Sequence, residues 1–415
     1  MSQGAQFYDE QETRDPQARA DALCQALTRQ IARAKAGSET YGRLLADIDP
    51  TRINNPDALA SLPLTRKSDL IELQRKSPPF GGFTAVATGE LARVFASPGP
   101  IYEPEARRPD FWRMARALYA AGFRAGDVVH NTFSYHFTPA GAMLESGAHA
   151  LGCAVFAAGV GQTELQARTL AELRPSAYTG TPSFLKIILD KGDELGLEVS
   201  SIRKALVSGE ALPASLRDAL AARGVDTFQC YATADVGLIA YESAAREGLI
   251  VDEGVLMEIV RPGTGIPVEE GEVGEVVVTP LCPEYPLIRF ATGDLSAVLA
   301  GPSRCGRTNQ RIKGWMGRAD QTTKVRGMFV HPSQVAQVVK RHPEIRRARL
   351  VIGGEDFNDT MELCCEVGNE AAEGLSEAIA TSIRDLCKLR GTVSFVEPRS
   401  LPNDGKVIDD TRSYE

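Results

Sequence analysis

The sequence predicts an α/β protein. A large N-terminal domain of helix-covered, mostly parallel sheet with a small antiparallel barrel-like part precedes a small α+β C-terminal domain. Three observations predict this. From residue 96 to about 231, short apolar strands alternate with helical stretches, the order that lays parallel strands side by side beneath helices. After Gly237 the pattern becomes short strands broken by Gly/Pro turns, which suits an antiparallel unit. From about Gly317 the order is βαββαβ, a compact module of about a hundred residues. The chain's 415 residues are comfortable for two or three domains. The expected domains are 1–319, with sheet subdomains to about 237 and the barrel-like part over about 238–315, and 320–415.

Each element follows from its residues. "ARADALCQALTRQIARAKAG" places apolar side chains at helical spacing, and Gly37 ends it. In "LASLPLTRKSDLIELQ", Thr65 is placed to cap a helix whose first turn holds Ser68 and Asp69. Residues 94–104, "VFASPGPIYEP", read as a loop. The strands "GDVVHNTFS", "CAVFAAG", "SAYTG", "RKALVSG" and "DTFQCYA" are separated by the helices "PAGAMLESGAHALG", "TELQARTLAEL", "PSFLKIILDKGDEL" and "PASLRDALAARG". "GLIVDEG", "LMEIVRPG", "GEVGEVVVTPL" and "PLIRFATGDLSAVL" are the short strands of the second pattern. In the last module "TKVRGMFV" is strand, "PSQVAQVVKRH" helix, "RARLVIG" and "TMELCCEV" a strand hairpin, "EGLSEAIATSIRDLCKLRG" helix and "TVSFVEP" strand.

Composition removes several function classes. Apolar residues make up 43% and charged residues 24%, the balance of a chain with a real core. The net charge is −8 and no basic run occurs, which argues against nucleic acid or an anionic membrane as partner. The polar, acidic N-terminus has no apolar signal region, and no apolar run is long enough to span a bilayer. The eight cysteines are irregularly spaced with no CxxC, so a reduced, cytoplasmic protein is expected.

The chain lacks GxxxxGK[ST], HExxH and GxSxG, and "GVGQTE" at 159–164 is a broken dinucleotide fingerprint. Three turns place small residues, hydroxyls and carboxylates at strand ends: "VSGEAL" at 207–212, "CYATADVGL" at 230–238 and "RFATGDL" at 289–295. Ligands of open α/β sheets bind at such ends, although each turn alone reads as a capped turn before it reads as a site. "GWMGRADQTTKVRGMFVHPSQV" at 314–335 and "LPNDGKVIDD" at 401–410 complete the set.

In this order, over nearly the whole chain, these segments resemble the adenylate-forming acyl-CoA synthetase superfamily, most closely its phenylacetate–CoA ligase branch. "LPLTRKSDL" is similar to a Leu-Pro-x-Thr-x-Lys-x-Asp-Leu segment of that branch. The resemblance implies an ATP-dependent acid–CoA ligase acting on a small or aromatic acid. The acid attacks the α-phosphate of ATP, pyrophosphate leaves, and the thiol of CoA then displaces AMP, with catalysis mostly by positioning and charge stabilisation. Two alternatives stay open: a non-adenylating relative that binds nucleotide or acyl-CoA for sensing or acyl transfer, and an adenylation enzyme that loads a separate carrier protein.

The resemblance also implies roles. Lys406 would be the catalytic lysine. Asp294 and Arg318 would hold the ribose. Ser208, Gly209 and Glu210 would line the adenine pocket, with Tyr231 stacked on the base, Ala232 beside it and Thr233 at the α-phosphate. Asp235 stands at the magnesium-ligand position, one methylene shorter than the family's glutamate. Asp320 would be the hinge, and Arg326 and Gly327 would face CoA. Tyr135, His136 and Phe137 are candidates for the acid pocket, with core packing the equal alternative. A homodimer is a further implication.

Two departures stand out. The branch's phosphate loop reads like Ser-Ser-Gly-Thr-Thr-Gly-Lys-Pro, but here "ASPGPIYEP" keeps Ser97 and Gly99, loses the N–H donors at Pro98 and Pro100, and presents Glu103 in place of a lysine, with Arg107 and Arg108 just beyond. Where some relatives hold zinc, "PSRCGRTN" offers only Cys305, with Asn309 for histidine, so no zinc is expected.

Overall fold

A computed structural model describes residues 6–98, 100–319, 321, 323–326, 328–354, 359–368, 374–402, 404 and 406–412. Gly99, Asp320 and Gly327, named above, lie outside the described residues. The chain forms two compact units: Met1–Met257 with Val278–Phe290 and Leu299–Trp315, and Glu258–Val277 with Ala291–Val298 and Met316–Glu415. The short strands between residues 255 and 296 contribute to both. Among the described residues, no helix is long and apolar enough to cross a membrane.

In the first unit, helix α1 (Pro16–Gly37) starts where Asp15 accepts from the N–H groups of Gln17 and Ala18, with Pro16 in its first turn. Leu27, Ile31 and Ala34 form its buried stripe. Residues 94–104 are not an open loop. Strands β1 (Arg93–Ser97) and β2 (Ile101–Glu105) pair antiparallel, Ser97 opposite Ile101. Along β1, Phe95 and Ser97 face inward and Val94 outward.

The main sheet contains β3 (Val128–Asn131), β4 (Ala154–Ala157), β5 (Ala177–Gly180), β6 (Lys204–Val207), β7 (Asp226–Thr233), β8 (Gly237–Glu242) and β9 (Leu249–Val251). Its order is β9-β8-β7-β6-β5-β3-β4, and Arg311–Ile312 pairs on β9. The contacts from β7 through β4 are parallel, as the strand–helix alternation predicts. One expectation is corrected. Segments 237–242 and 249–251 do not join the small antiparallel unit but extend the main sheet antiparallel. Both strands are buried throughout, and a strand buried on both faces carries no face preference to distinguish the two sheets.

Helices α2 (Ala140–Ala150), α3 (Thr163–Leu173), α4 (Pro182–Glu194) and α5 (Ala214–Ala222) are the predicted crossovers. Leu170, Leu185, Ile188 and Leu220 from three of them pack with Tyr178, Ala205 and Val207 of the sheet. Gly180 ends β5 where a Cβ would fall 2.0 Å from Thr132 Oγ1 and 2.2 Å from Tyr178 OH, so no other residue fits between the strand ends. Thr65 does not cap a helix as expected: Thr65–Arg66 is extended, Lys67–Asp69 is a 3₁₀ turn, and the helix is Leu70–Lys76. The Thr65 hydroxyl is instead 2.7 Å from Tyr41 OH in the interior.

In the second unit, β10 (Ile345–Gly353) and β11 (Thr360–Val367) form the predicted antiparallel hairpin, with β12 (Thr392–Val396) parallel on β11. Helices α6 (Pro332–Arg341) and α7 (Leu375–Cys387) supply Val335, Val338, Ile379 and Ile383 to one core with Leu350, Ile352 and Leu363. "TKVRGMFV" is a small hairpin, Thr323–Val325 on Met328–Val330, rather than one strand. A strand absent from the sequence reading, β13 (Ile408–Asp410), adds parallel to β10 directly after Lys406.

Candidate active site

In the first unit, the strand ends of β6 and β7 put two of the three predicted turns side by side. The Ser208 hydroxyl donates to the Cys230 carbonyl at 2.9 Å, tying the β6 turn to β7. Gly209 has φ +83°, and a Cβ there would lie 3.6 Å from Thr181 and 3.7 Å from the Phe133 ring, leaving a narrow slot open. The Glu210 carboxylate accepts from the Ser183 N–H at 2.7 Å in the first turn of α4, so its side chain is a cap. Tyr231 is buried beside a register shift between Tyr231 and Ala232. Thr233 closes the β7–β8 turn by accepting from the Val236 N–H at 3.2 Å.

That turn holds Asp235, whose side chain is fully buried and whose Oδ2 takes a 2.6 Å ion pair from Lys67 Nζ. Asp235 Oδ1 is buried with no hydrogen-bond partner among the described residues, as is the Tyr285 hydroxyl. Glu103, fully buried, completes the cluster. Its carboxylate accepts from the Ser97 N–H at 3.1 Å and is bonded to the Ser97 hydroxyl. Burial above all, then the charge of Asp235, pushes the Glu103 carboxyl up to about 7. Arg108 lies 3.4 Å from Glu284 and over the Phe111 ring, so it turns away from the hairpin.

Asn131 ends β3 and organises the acid-pocket segment. Its amide donates to Tyr135 OH at 2.8 Å and to the Gly141 carbonyl at 2.9 Å. Burial, then a hydrogen bond to Glu145, raises the Tyr135 phenol. That hydroxyl is held between an amide and a carboxylate, leaving the ring as the available surface. His136 and Phe137 are exposed, Phe137 at φ +61°.

In the second unit, Arg318 Nη1 meets Asp294 Oδ1 at 2.7 Å, and the two backbones form an isolated bridge. Gly293 at φ +77° makes this possible, since a Cβ there would be 2.9 Å from Arg318 Nη2. The Asp294 N–H donates to Thr292 Oγ1. Lys406 is exposed, its Nζ 2.6 Å from Asp409 and its N–H on Asp404. Val407 and Ile408 donate N–H groups to Gln321 Oε1, so β13 anchors the lysine's stretch. Arg326 is exposed at φ +46°, with its guanidinium on the Asp359 and Arg390 carbonyls.

No role is assigned from the sequence to Lys67, Asn131 or Tyr285. Lys67 is 168 positions from its partner Asp235, and neither Asn131 nor Tyr285 sits in a recognisable motif. Residues 93–97, RVFAS, carry no polar–apolar alternation, so the hairpin that turns Glu103 inward has no signal in the sequence.

Residues 110–280 match the family described as AMP-binding enzyme. A phenylacetate–coenzyme A ligase of Thermus thermophilus is 32% identical over 87% of this chain and 88% of that one. The enzyme of the same name from Aromatoleum evansii is 30% identical over 85% and 83%. Among solved structures, a 2-hydroxyisobutyryl-CoA ligase in complex with 2-HIB-AMP and CoA shares the fold. Its TM-score is 0.72 at 23% identity, covering 98% of this chain and 93% of that one.

Proposed function

The chain belongs to the AMP-binding enzymes, in their phenylacetate–coenzyme A ligase group, and on that premise we propose that it joins an aromatic or other small carboxylic acid to CoA through an acyl-adenylate made from ATP. The observation that carries this reading is the likeness to phenylacetate–coenzyme A ligases across most of both chains. It spans the nucleotide turns of the first unit and the Asp294–Arg318 pair of the second.

The chemistry suits the residues. A carboxylate is a poor electrophile, and making one of its oxygens a phosphate ester turns it into a leaving group. The slot at Gly209 and the Tyr231 ring would take the adenine, and Thr233 the α-phosphate. Asp294 would accept from the ribose hydroxyls, with Arg318 holding its carboxylate in place. Lys406 would swing from Asp409 to neutralise charge where acid and phosphate join. Asp320 as hinge and Arg326 with Gly327 facing CoA belong to the same proposal. Phe137, the Tyr135 ring and His136 would border the acid.

Magnesium fits Asp235 through Oδ1, the oxygen that Lys67 leaves unengaged. No group of three or more His, Cys, Asp or Glu able to hold a metal occurs among the described residues. Nucleotide oxygens would therefore fill the rest of the shell, where the ion would offset phosphate charge.

The test is pyrophosphate release with a panel of acids, with and without CoA. Release that requires both ATP and an acid, with thioester appearing when CoA is added, is the expected result. Thioester formed only on a carrier protein, or no release with any acid, would overturn the reading.

A further inference from the structure

The hairpin at 93–105 presents an electrostatic arrangement opposite to that of a triphosphate cradle. At Ser97, Pro98 and Pro100 of its tip, donors are missing or already used. Pro98 and Pro100 have no N–H, and both the N–H and the hydroxyl of Ser97 are bonded to Glu103. The exposed side of the tip is apolar: Pro98, Pro100, Tyr102 and Phe137 help line a cavity of about 620 Å³. Behind the tip lie two buried carboxylates, Glu103 and Asp235; on top of burial, Asp235 is close enough to raise the Glu103 carboxyl, and both raise the Tyr285 hydroxyl. The one cation among these groups, Lys67, is paired with Asp235 at 2.6 Å. Among the described residues Glu103 takes its hydrogen bonds from the Ser97 N–H and hydroxyl, and the opposing pull of Lys67 on its carboxyl is weaker than burial and the charge of Asp235.

We propose that Glu103 is a specificity-determining residue, one that biases this nucleotide site toward the adenylate and against the terminal phosphates of ATP. This rests on the function proposed above, in which Thr233 and Asp235 face the phosphates. In that reading the adenine and α-phosphate would meet β6 and β7, whereas the β- and γ-phosphates would meet the hairpin. There they meet the field of a buried anion in a medium that screens it poorly, and at Pro98 and Pro100 no N–H to receive them. AMP and an acyl-adenylate carry nothing into that region. Pyrophosphate, once cleaved, is repelled from the same place, so its release is fast and its rebinding weak.

The experiment is titration calorimetry of the full chain at pH 8 with AMP and with magnesium-saturated ATP, on the wild type and on E103Q and E103K. The wild type should bind AMP at least as tightly as ATP. E103Q, which keeps a partner for Ser97 without the charge, should tighten ATP several-fold. E103K should tighten it by about tenfold or more, with AMP affinity unchanged in both. Should E103K not fold, E103Q and the wild-type ratio still decide. A wild type that binds ATP more than about tenfold tighter than AMP, or an ATP-to-AMP ratio unmoved in a folded variant, overturns the inference. Failure of both nucleotides to bind would instead sink the function it rests on.

Discussion

Replacing Glu103 with glutamine should make the protein more stable above neutrality and leave it nearly unchanged in acid. The carboxyl is raised from 4.5 to about 7 by burial and by Asp235, so the folded state holds its proton more tightly than the unfolded chain does. Below pH 4.5 both states are protonated and the group is neutral to stability. Between 4.5 and 7 the unfolded state gives up its proton first, and stability falls as pH rises. Above 7 the penalty is complete, at about 3 kcal/mol for a shift of this size. Glutamine mimics the protonated acid: its carbonyl accepts from the Ser97 N–H and its amide reaches the hydroxyl. Denaturant unfolding followed by Trp112, which is fully buried in the same unit, should give wild type and E103Q within about 1 kcal/mol of each other at pH 5. The variant should be ahead by about 2–3 kcal/mol at pH 8. Parallel pH profiles for the two proteins would refute the reasoning.

Other outcomes follow from the same geometry. Lys67→Met leaves Asp235 buried without its cation and should cost about 3–5 kcal/mol, much of it recovered when Asp235→Asn is added, as a double-mutant unfolding cycle would show. Gly293→Ala places a side chain against Arg318 at a positive φ, so the KM for ATP should rise about tenfold or more while far-UV dichroism stays the same. Lys406→Ala should slow adenylate formation by about 10²–10³-fold. Its rate of thioester formation from supplied acyl-adenylate should stay within a few-fold of wild type, as measured by quenched flow.

Much of this was readable from local pattern. Parallel strands and their crossovers announce themselves through alternating apolar runs and helical spacing, and "RFATGDL" with "GRADQTT" marks Asp294 and Arg318 through turn residues that lie close in the chain. What escaped depends on distance or on burial of polar groups. The Lys67–Asp235 pair is a long-range contact between a 3₁₀ turn and a hairpin tip, with no periodicity to betray it. Glu103 reads as a carboxylate of the phosphate-loop stretch that would repel phosphate, and only strand pairing turns it inward. Strand β13 is three residues long, too short to be called from hydropathy, yet it anchors the chain beside Lys406. The strands at 237–251 were assigned to the wrong sheet because a buried strand looks alike in either.

The most direct test of acid activation omits the thiol. The protein is incubated with ATP, magnesium and one acid at a time, and the quenched mixture is analysed by mass spectrometry. The account predicts an acyl-adenylate of the acid's mass plus that of AMP less water, formed about 10²–10³-fold more slowly in Lys406→Ala and converted to thioester and AMP on adding CoA. If no acid yields an adenylate while a thioester still forms, or ATP is split only to ADP, the account is contradicted.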